Sequence, residues 1–180
     1  MLHLFEQGEQ LRLIDMPGYG FSKTGAGTRD KWDSLMMAFF ESRAEAAAAR
    51  AATGGDSSLQ TFVVVDCRRG LLDLDMHMLD MLSSFGLRRT VVLTKADKLK
   101  QKQLDSVVYN TAMMLASYGH LEVNAADLHA TEDGTTIYRC ASTKSSDDCS
   151  HDHQGGASGL ILTSSKSGLG VEQLRARVLH

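Results

Sequence analysis

A chain of 180 residues suits one domain, and an apolar content of 43% is enough for a core. Its 19 basic and 22 acidic residues leave a net charge of −3 with no dense basic block. That balance gives no ground for free DNA or RNA as a general partner, although a patch assembled on a folded surface would escape such a count. No apolar run approaches the roughly 18 residues that suggest a membrane span. Cys67, Cys140 and Cys149 are irregularly placed, so a disulfide framework is not expected and a reducing compartment is. The opening MLHLFEQGEQ has neither the basic and apolar regions of a secretory signal nor the Arg/Ser character of a transit peptide. Any address label is then expected to be absent or to lie upstream.

In chain order, Leu2 to Phe5 and Leu11 to Ile14 read as short strands joined by a polar turn at Gly8, a hairpin. The second is expected to be buried and to end at Asp15, before Pro17-Gly18-Tyr19-Gly20. An acid at a buried strand end faces the crevice where open α/β sheets collect ligands. Its carboxylate can hold a water on Mg²⁺, and the Gly18 amide can approach a phosphate with no Cβ in the way. Ser22 to Asp30 is glycine-rich and aperiodic and should be an exposed loop. From Asp30, the apolar spacing of Trp32, Leu35, Met36, Phe39 and Phe40 predicts a helix face in the core, extended by the alanine-rich Glu45 to Ala52.

Thr61 to Val65 is continuously apolar or β-branched, the pattern of a parallel strand covered on both faces. A helix through Met76, Leu79, Leu82 and Phe85 follows and stops at Gly86, with Met76, Met78 and Met81 as packing residues. Thr90 to Leu93 is the next strand and delivers Thr94 to Lys98 to the sheet edge. Lys102 to Tyr118 forms a third helix. Thr135 to Tyr138 is a possible strand, while Cys140 to Gly159 is polar and low in complexity, read as a solvated insertion. His129, Cys140, Cys149, His151 and His153 match no structural zinc spacing. Leu160 to Thr163 and a closing helix from Val171 to Leu179 complete repeated strand–loop–helix units, the crossovers of a parallel sheet.

Three strands therefore end in Asp15–Gly18, Thr94–Asp97 and Ser164–Lys166, and a parallel sheet puts such loops along one edge. The two oxygens of Asp97 match the ring N–H and exocyclic amine of guanine, a donor pair adenine lacks. Lys95 can lie along the base plane or brace a neighbouring loop. The Ser165 amide can donate to the guanine carbonyl, and the Lys166 stem can cover the other ring face. Together these predict a guanine-nucleotide fold.

The segments DMPGYGF at 15–21, KW at 31–32, FFESR at 39–43, VVVDCRRGLLDLD at 63–75, VVLTKADKL at 91–99 and TSSKSGLG at 163–170 resemble the EngB group of ribosome-biogenesis GTPases. That resemblance implies one GTP-binding domain over 1–180, with 44–59 and 120–159 as insertions or flexible loops. It implies an α/β, three-layer, P-loop-GTPase-like sheet, mostly parallel with one antiparallel edge hairpin. By the same resemblance Asp15 is the magnesium-water ligand, Gly18 the donor to the terminal phosphate, Thr94, Lys95 and Asp97 the base-specificity motif, and Ser164, Ser165 and Lys166 the last base-contacting loop. GTP or GDP with Mg²⁺ would be the ligands, and the large ribosomal subunit or its precursor, both rRNA and proteins, the partner.

No G-x-x-x-x-G-K-[ST] loop occurs in the chain. By comparison with the family, the first, central strand, the phosphate loop, the following helix and the first switch are missing. A sheet without a central strand leaves unpaired backbone groups, at about 1 to 3 kcal/mol each when buried, so the chain should not fold cleanly alone. The phosphate-binding part is expected upstream or on another polypeptide. The alternative is a non-hydrolysing homologue serving as a structural subunit of a mitochondrial ribosome or its precursor. Tyr19 follows Gly18 where many GTPases place a water-orienting glutamine, so no catalytic residue is assigned. The alanine- and histidine-rich insertions suggest a mitochondrial matrix location, with a bacterial-type cytoplasm as the alternative.

Overall fold

A computed structural model of the chain describes residues 3–8, 11–16, 18, 26–54, 59–121 and 159–179; the side chains of 7 and 26–32 are not among the features described. The candidate strand at Thr135–Tyr138 and the His/Cys group at 129–153 lie outside the described residues, as does the side chain of Trp32.

Strands β1 (His3–Gln7) and β2 (Leu11–Asp15) form the expected hairpin, antiparallel with Phe5 opposite Leu13 and Glu6 opposite Arg12. Gly8 takes φ +62 at the turn, a left-handed conformation that glycine reaches without strain. The expectation that β2 is buried is corrected. Phe5 and Leu13 stay 58% and 44% exposed, because among the described residues the hairpin forms its own two-stranded sheet and pairs with no third strand. Among the described residues up to 18, it is Met16, one residue past β2, that packs onto the main core.

Helix α1 spans Ala26–Ala52, so it begins within the segment read as a loop up to Asp30. Once Met36 and Phe40, four residues apart and both buried, anchor one face, extending the helix adds about one hydrogen bond per residue fixed. The packed stripe is narrower than the apolar spacing suggests, since Leu35 is 44% exposed. Phe40 meets Phe39 edge-on at 5.7 Å and Phe85 at 6.4 Å between ring centroids, and Arg43 lies over the Phe39 ring.

The second sheet is fully parallel, in the order β3 (Gln60–Asp66), β4 (Arg88–Thr94), β5 (Gly159–Leu162). Helix α2 (Asp73–Ser84) connects β3 to β4, and α3 (Gln101–Ser117) follows β4. Helix α4 (Val171–Leu179) closes the chain with Val171, Leu174 and Val178 partly buried. Met76, Met78, Leu79 and Leu82 of α2 are buried, as are Leu104, Val108 and Leu115 of α3, so the predicted helical stripes do face the core. This is an α/β sheet with parallel strand–helix units and one antiparallel hairpin, a P-loop-GTPase-like fold fragment.

One strand departs from its sequence pattern. Val63 and Val65 of β3 are buried, whereas Val64 between them is 61% exposed, which corrects the expectation of a strand covered on both faces. Alternation along a strand sends Val64 to the opposite side from its neighbours. Phe62, on that same side, is half-buried, so it is the position of Val64 that stays open, on a strand that among the described residues pairs with β4 alone. By contrast β4, between two strands, is buried continuously from Arg89 to Leu93.

Candidate functional site

The carboxyl ends of β4 and β5 carry the site, and neighbouring parallel strands place their loops side by side. Residue Thr163 continues β5: its amide and hydroxyl both donate to the Leu93 carbonyl, at 2.7 and 3.1 Å. The Ala96 amide donates back to the Thr163 carbonyl at 3.1 Å. Asp97 then meets Ser164, whose hydroxyl donates to Asp97 Oδ1 at 2.7 Å. Ser164 is fully buried, and its Oγ also accepts from the Ser167 amide at 3.2 Å. The Ser164 amide donates to the Leu169 carbonyl and the Gly168 amide to the Ser164 carbonyl, both at 2.9 Å. These bonds fold 164–169 into a compact loop that leaves Ser165 and Lys166 exposed.

That loop lies against β5 because of Gly170. A Cβ there would sit 1.9 Å from the Leu162 carbonyl oxygen, and the backbone has φ +66. Only glycine tolerates both the approach and the left-handed conformation.

The Ser164 hydroxyl holds the Asp97 carboxyl below the usual carboxylate range, with help from the Lys98 and Lys166 charges and against the effect of burial. It is therefore ionised near neutrality. With Oδ1 engaged and Oδ2 3.7 Å from Lys98 Nζ, the carboxylate still has acceptor capacity for a pair of external N–H donors.

On the other flank the loop is tied to β3. Thr94 Oγ1 donates to the Val65 carbonyl at 3.1 Å, and the Cys67 amide donates to the Thr94 carbonyl at 3.0 Å. Lys95 has φ +61, the one non-glycine residue at positive φ among those described, and its Nζ lies 3.0 Å from Asp66 Oδ2. Asp66 also accepts from the Arg68 amide at 3.0 Å and from its guanidinium at 2.6 to 3.2 Å. Arg68, then Lys95, hold the Asp66 carboxyl far below its ordinary range despite burial. Cys67 is a free, buried thiol whose pKa is raised by burial and by Asp66, which makes it a packing group rather than a nucleophile.

Of the predicted site residues, the structure joins Thr94, Lys95 and Asp97 to the loop of Ser164, Ser165 and Lys166 on one edge of one sheet. Asp15 stands at the exposed end of the separate hairpin, opposite His3. Gly18 is exposed, and a Cβ built on it meets no atom of the described residues within 4 Å. The bracing role of Asp66 and Arg68 was not assigned from sequence. The available signal was an acid ending a strand whose register pairs it with Thr94, information that needs the strand pairing. Among the described residues no three His, Cys, Asp or Glu side chains gather to hold a metal, and no helix is long and apolar enough to cross a membrane.

Two strand-end loops are thus locked around an ionised aspartate at one edge of the parallel α/β sheet. Comparison with known proteins adds the following. The chain is 33% identical over 115 residues to the probable GTP-binding protein EngB of Caulobacter vibrioides, a match covering 64% of this chain and 45% of that protein. A second EngB protein, from Rhodopseudomonas palustris strain BisB5, is 27% identical over 170 residues, 94% of this chain and 57% of the relative. The chain thus spans about half the length of the curated relatives it matches. No protein-family model matches it. In fold it resembles a crystal structure of a probable GTP-binding protein engB, with TM-score 0.58, 17% identity and coverage of 98% of this chain and 77% of the other. Apo elongation factor SelB of Methanococcus maripaludis follows at TM-score 0.51 and 17% identity, covering 98% and 26%. Sequence and fold give a distant but consistent match to EngB-type GTP-binding proteins.

Proposed function

We propose that this chain is the guanine-recognising part of an EngB-type GTP-binding factor that acts in assembly of the large ribosomal subunit. The observation that carries the reading is the Ser164 hydroxyl bonded to Asp97 at 2.7 Å across two adjacent strand ends. On this reading the ionised carboxylate would accept from two N–H donors of a base and the Ser165 amide would donate to its carbonyl. Guanine offers the matching donor pair and carbonyl; adenine offers neither in that arrangement.

The phosphates need a second half. Support for its place comes from three features of the described residues: the unpaired edge of β3, the exposed Val64 beside it, and a hairpin of two strands that pairs with no third. A parallel strand seated between β2 and β3, followed by a phosphate-binding loop and a helix over Val64, would satisfy all three and bring Asp15 into the nucleotide domain. Asp15 alone is a poor metal site. A magnesium ion beside it would rest mainly on phosphate oxygens and water, as that ion commonly does.

The test is calorimetric titration of the full-length protein, with any residues that precede this segment in its gene, by GDP and by ADP. GDP is expected to bind selectively, and Asp97→Ala to abolish the selectivity. Unchanged GDP affinity in Asp97→Ala would overturn the reading. Failure of the wild-type protein to bind GDP would favour a structural subunit with an empty nucleotide site.

A further inference from the structure

We propose that Asp66 is a positioning residue for the base site: its carboxylate fixes the Lys95 side chain, and guanine-nucleotide affinity depends on Asp66 through that lysine. This rests on the guanine-nucleotide reading above and adds to it a residue from the neighbouring strand.

The backbone supplies the first argument. Lys95 holds φ +61, a conformation that costs a residue with a Cβ energy that glycine would not pay. A lysine kept in such a place points to use of its side chain. The left-handed turn at Lys95 also leads directly into the Ala96–Lys98 turn, whose first amide bonds the Thr163 carbonyl and whose Asp97 bonds Ser164. Where Lys95 sits is thereby linked to where Asp97 sits.

The side chain supplies the second. Lys95 Nζ reaches back across the β3–β4 pair to Asp66 Oδ2 at 3.0 Å, the register partner of Thr94. The Lys95 side chain is 53% exposed and that of Asp66 20%, so the tip is tethered while much of the lysine stays open to a ligand. An untethered lysine would lose rotamer freedom whenever a base stacked along it; tethering makes that loss part of folding instead. Arg68 shares the same carboxylate, binding both oxygens, and keeps Asp66 ionised and in place.

The experiment is a double-mutant cycle on the full-length protein, with GDP and ADP as calorimetric probes. Asp66→Asn keeps the shape but sets an amide N–H₂ or a neutral oxygen against the Lys95 ammonium. GDP affinity is expected to fall about tenfold, the scale of one partly screened, charge-assisted hydrogen bond. Preference for GDP over ADP should persist, since Asp97 is untouched. Lys95→Met should lose a similar amount, and Asp66→Asn added to Lys95→Met should cost nothing further. Arg68→Gln, which loosens Asp66 but leaves its charge beside Lys95, should lose less affinity than Asp66→Asn, and its effect should likewise vanish beside Lys95→Met.

If Asp66→Asn does not fold, Asp66→Glu in the same cycle carries the test: one methylene displaces the charge, and its effect must likewise vanish beside Lys95→Met. Losses that add in the double variant, or wild-type affinity in Asp66→Asn, overturn the inference while leaving guanine recognition standing. A wild-type protein without GDP selectivity overturns both.

Discussion

Gly170→Ala tests whether the last loop is held by backbone contact or merely by its hydrogen bonds. A Cβ at Gly170 would meet the Leu162 carbonyl oxygen at 1.9 Å, its carbon at 3.0 Å and Thr163 Cγ2 at 3.3 Å. An overlap of that size with backbone cannot be relieved by a rotamer change, so the loop must move away from β5. Two costs combine: about 1 to 2 kcal/mol for a Cβ at positive φ, and about 1 to 3 kcal/mol for forcing an atom into a packed site. The sum is roughly 2 to 5 kcal/mol, and at about 2 to 4 °C per kcal/mol for a chain of this size the melting temperature should fall by roughly 4 to 20 °C. Gly168 is the internal control. It has φ +81 in the same loop, yet a Cβ there meets nothing within 4 Å, so Gly168→Ala should show the conformational cost alone. Thermal unfolding followed by circular dichroism compares them. Equal melting temperatures for the two variants would refute the close-contact argument.

Stability should also depend on pH through His120 at the end of α3. Its ring is buried, with Nδ1 3.2 Å from Arg89 Nη2 and Nε2 3.0 Å from Asp80 Oδ1. Burial, then the Arg89 charge, push its pKa below the ordinary 6.5, against the pull of Asp80. The unfolded chain then takes up a proton near pH 6.5 that the folded chain still refuses, so this contribution is present above pH 6.5 and is lost as pH falls below it. The urea midpoint of wild type is expected to drop between pH 7.5 and 5.5 more steeply than that of His120→Gln; parallel curves would contradict the assignment. On β3, Val65→Ala removes a fully buried side chain and should cost about 1.5 to 3 kcal/mol. In the full-length protein, where the proposed helix would lie over Val64, Val64→Ala should cost a comparable amount in urea titrations, and a loss under about 0.5 kcal/mol would show that its side of β3 is open there as well.

Much of the architecture was legible because its signals are local. Buried strands β4 and β5, the α2 and α3 stripes and the turn at Gly86 follow from apolar runs, helical spacing and glycine placement. The loop residues Thr94 to Asp97 and Ser164 to Lys166 were legible too, since each follows directly on a strand. Three readings needed correction, and each concerns what lies beyond a segment's own residues. The apolar text of β2 and of Val64 describes surfaces suited to burial, but a side chain is buried only when a neighbour covers it, and among the described residues Leu13 and Val64 are left largely exposed. The start of α1 was misplaced because a glycine-containing stretch counts against helix locally, whereas a helix already anchored by Met36 and Phe40 extends at small cost.

By itself, then, the order of residues determined which groups this protein carries to its strand ends: a carboxylate at Asp97, a hydroxyl at Ser164, lysines at 95 and 166. Tertiary structure alone decided their partnerships: that Ser164 serves Asp97 across 67 positions, that Lys95 turns to Asp66, and that Thr94 comes to lie beside Asp66. The physical reason is that composition and periodicity encode preferences over a few neighbouring residues, while hydrogen bonds and ion pairs between strand ends exist only once parallel pairing has set the register.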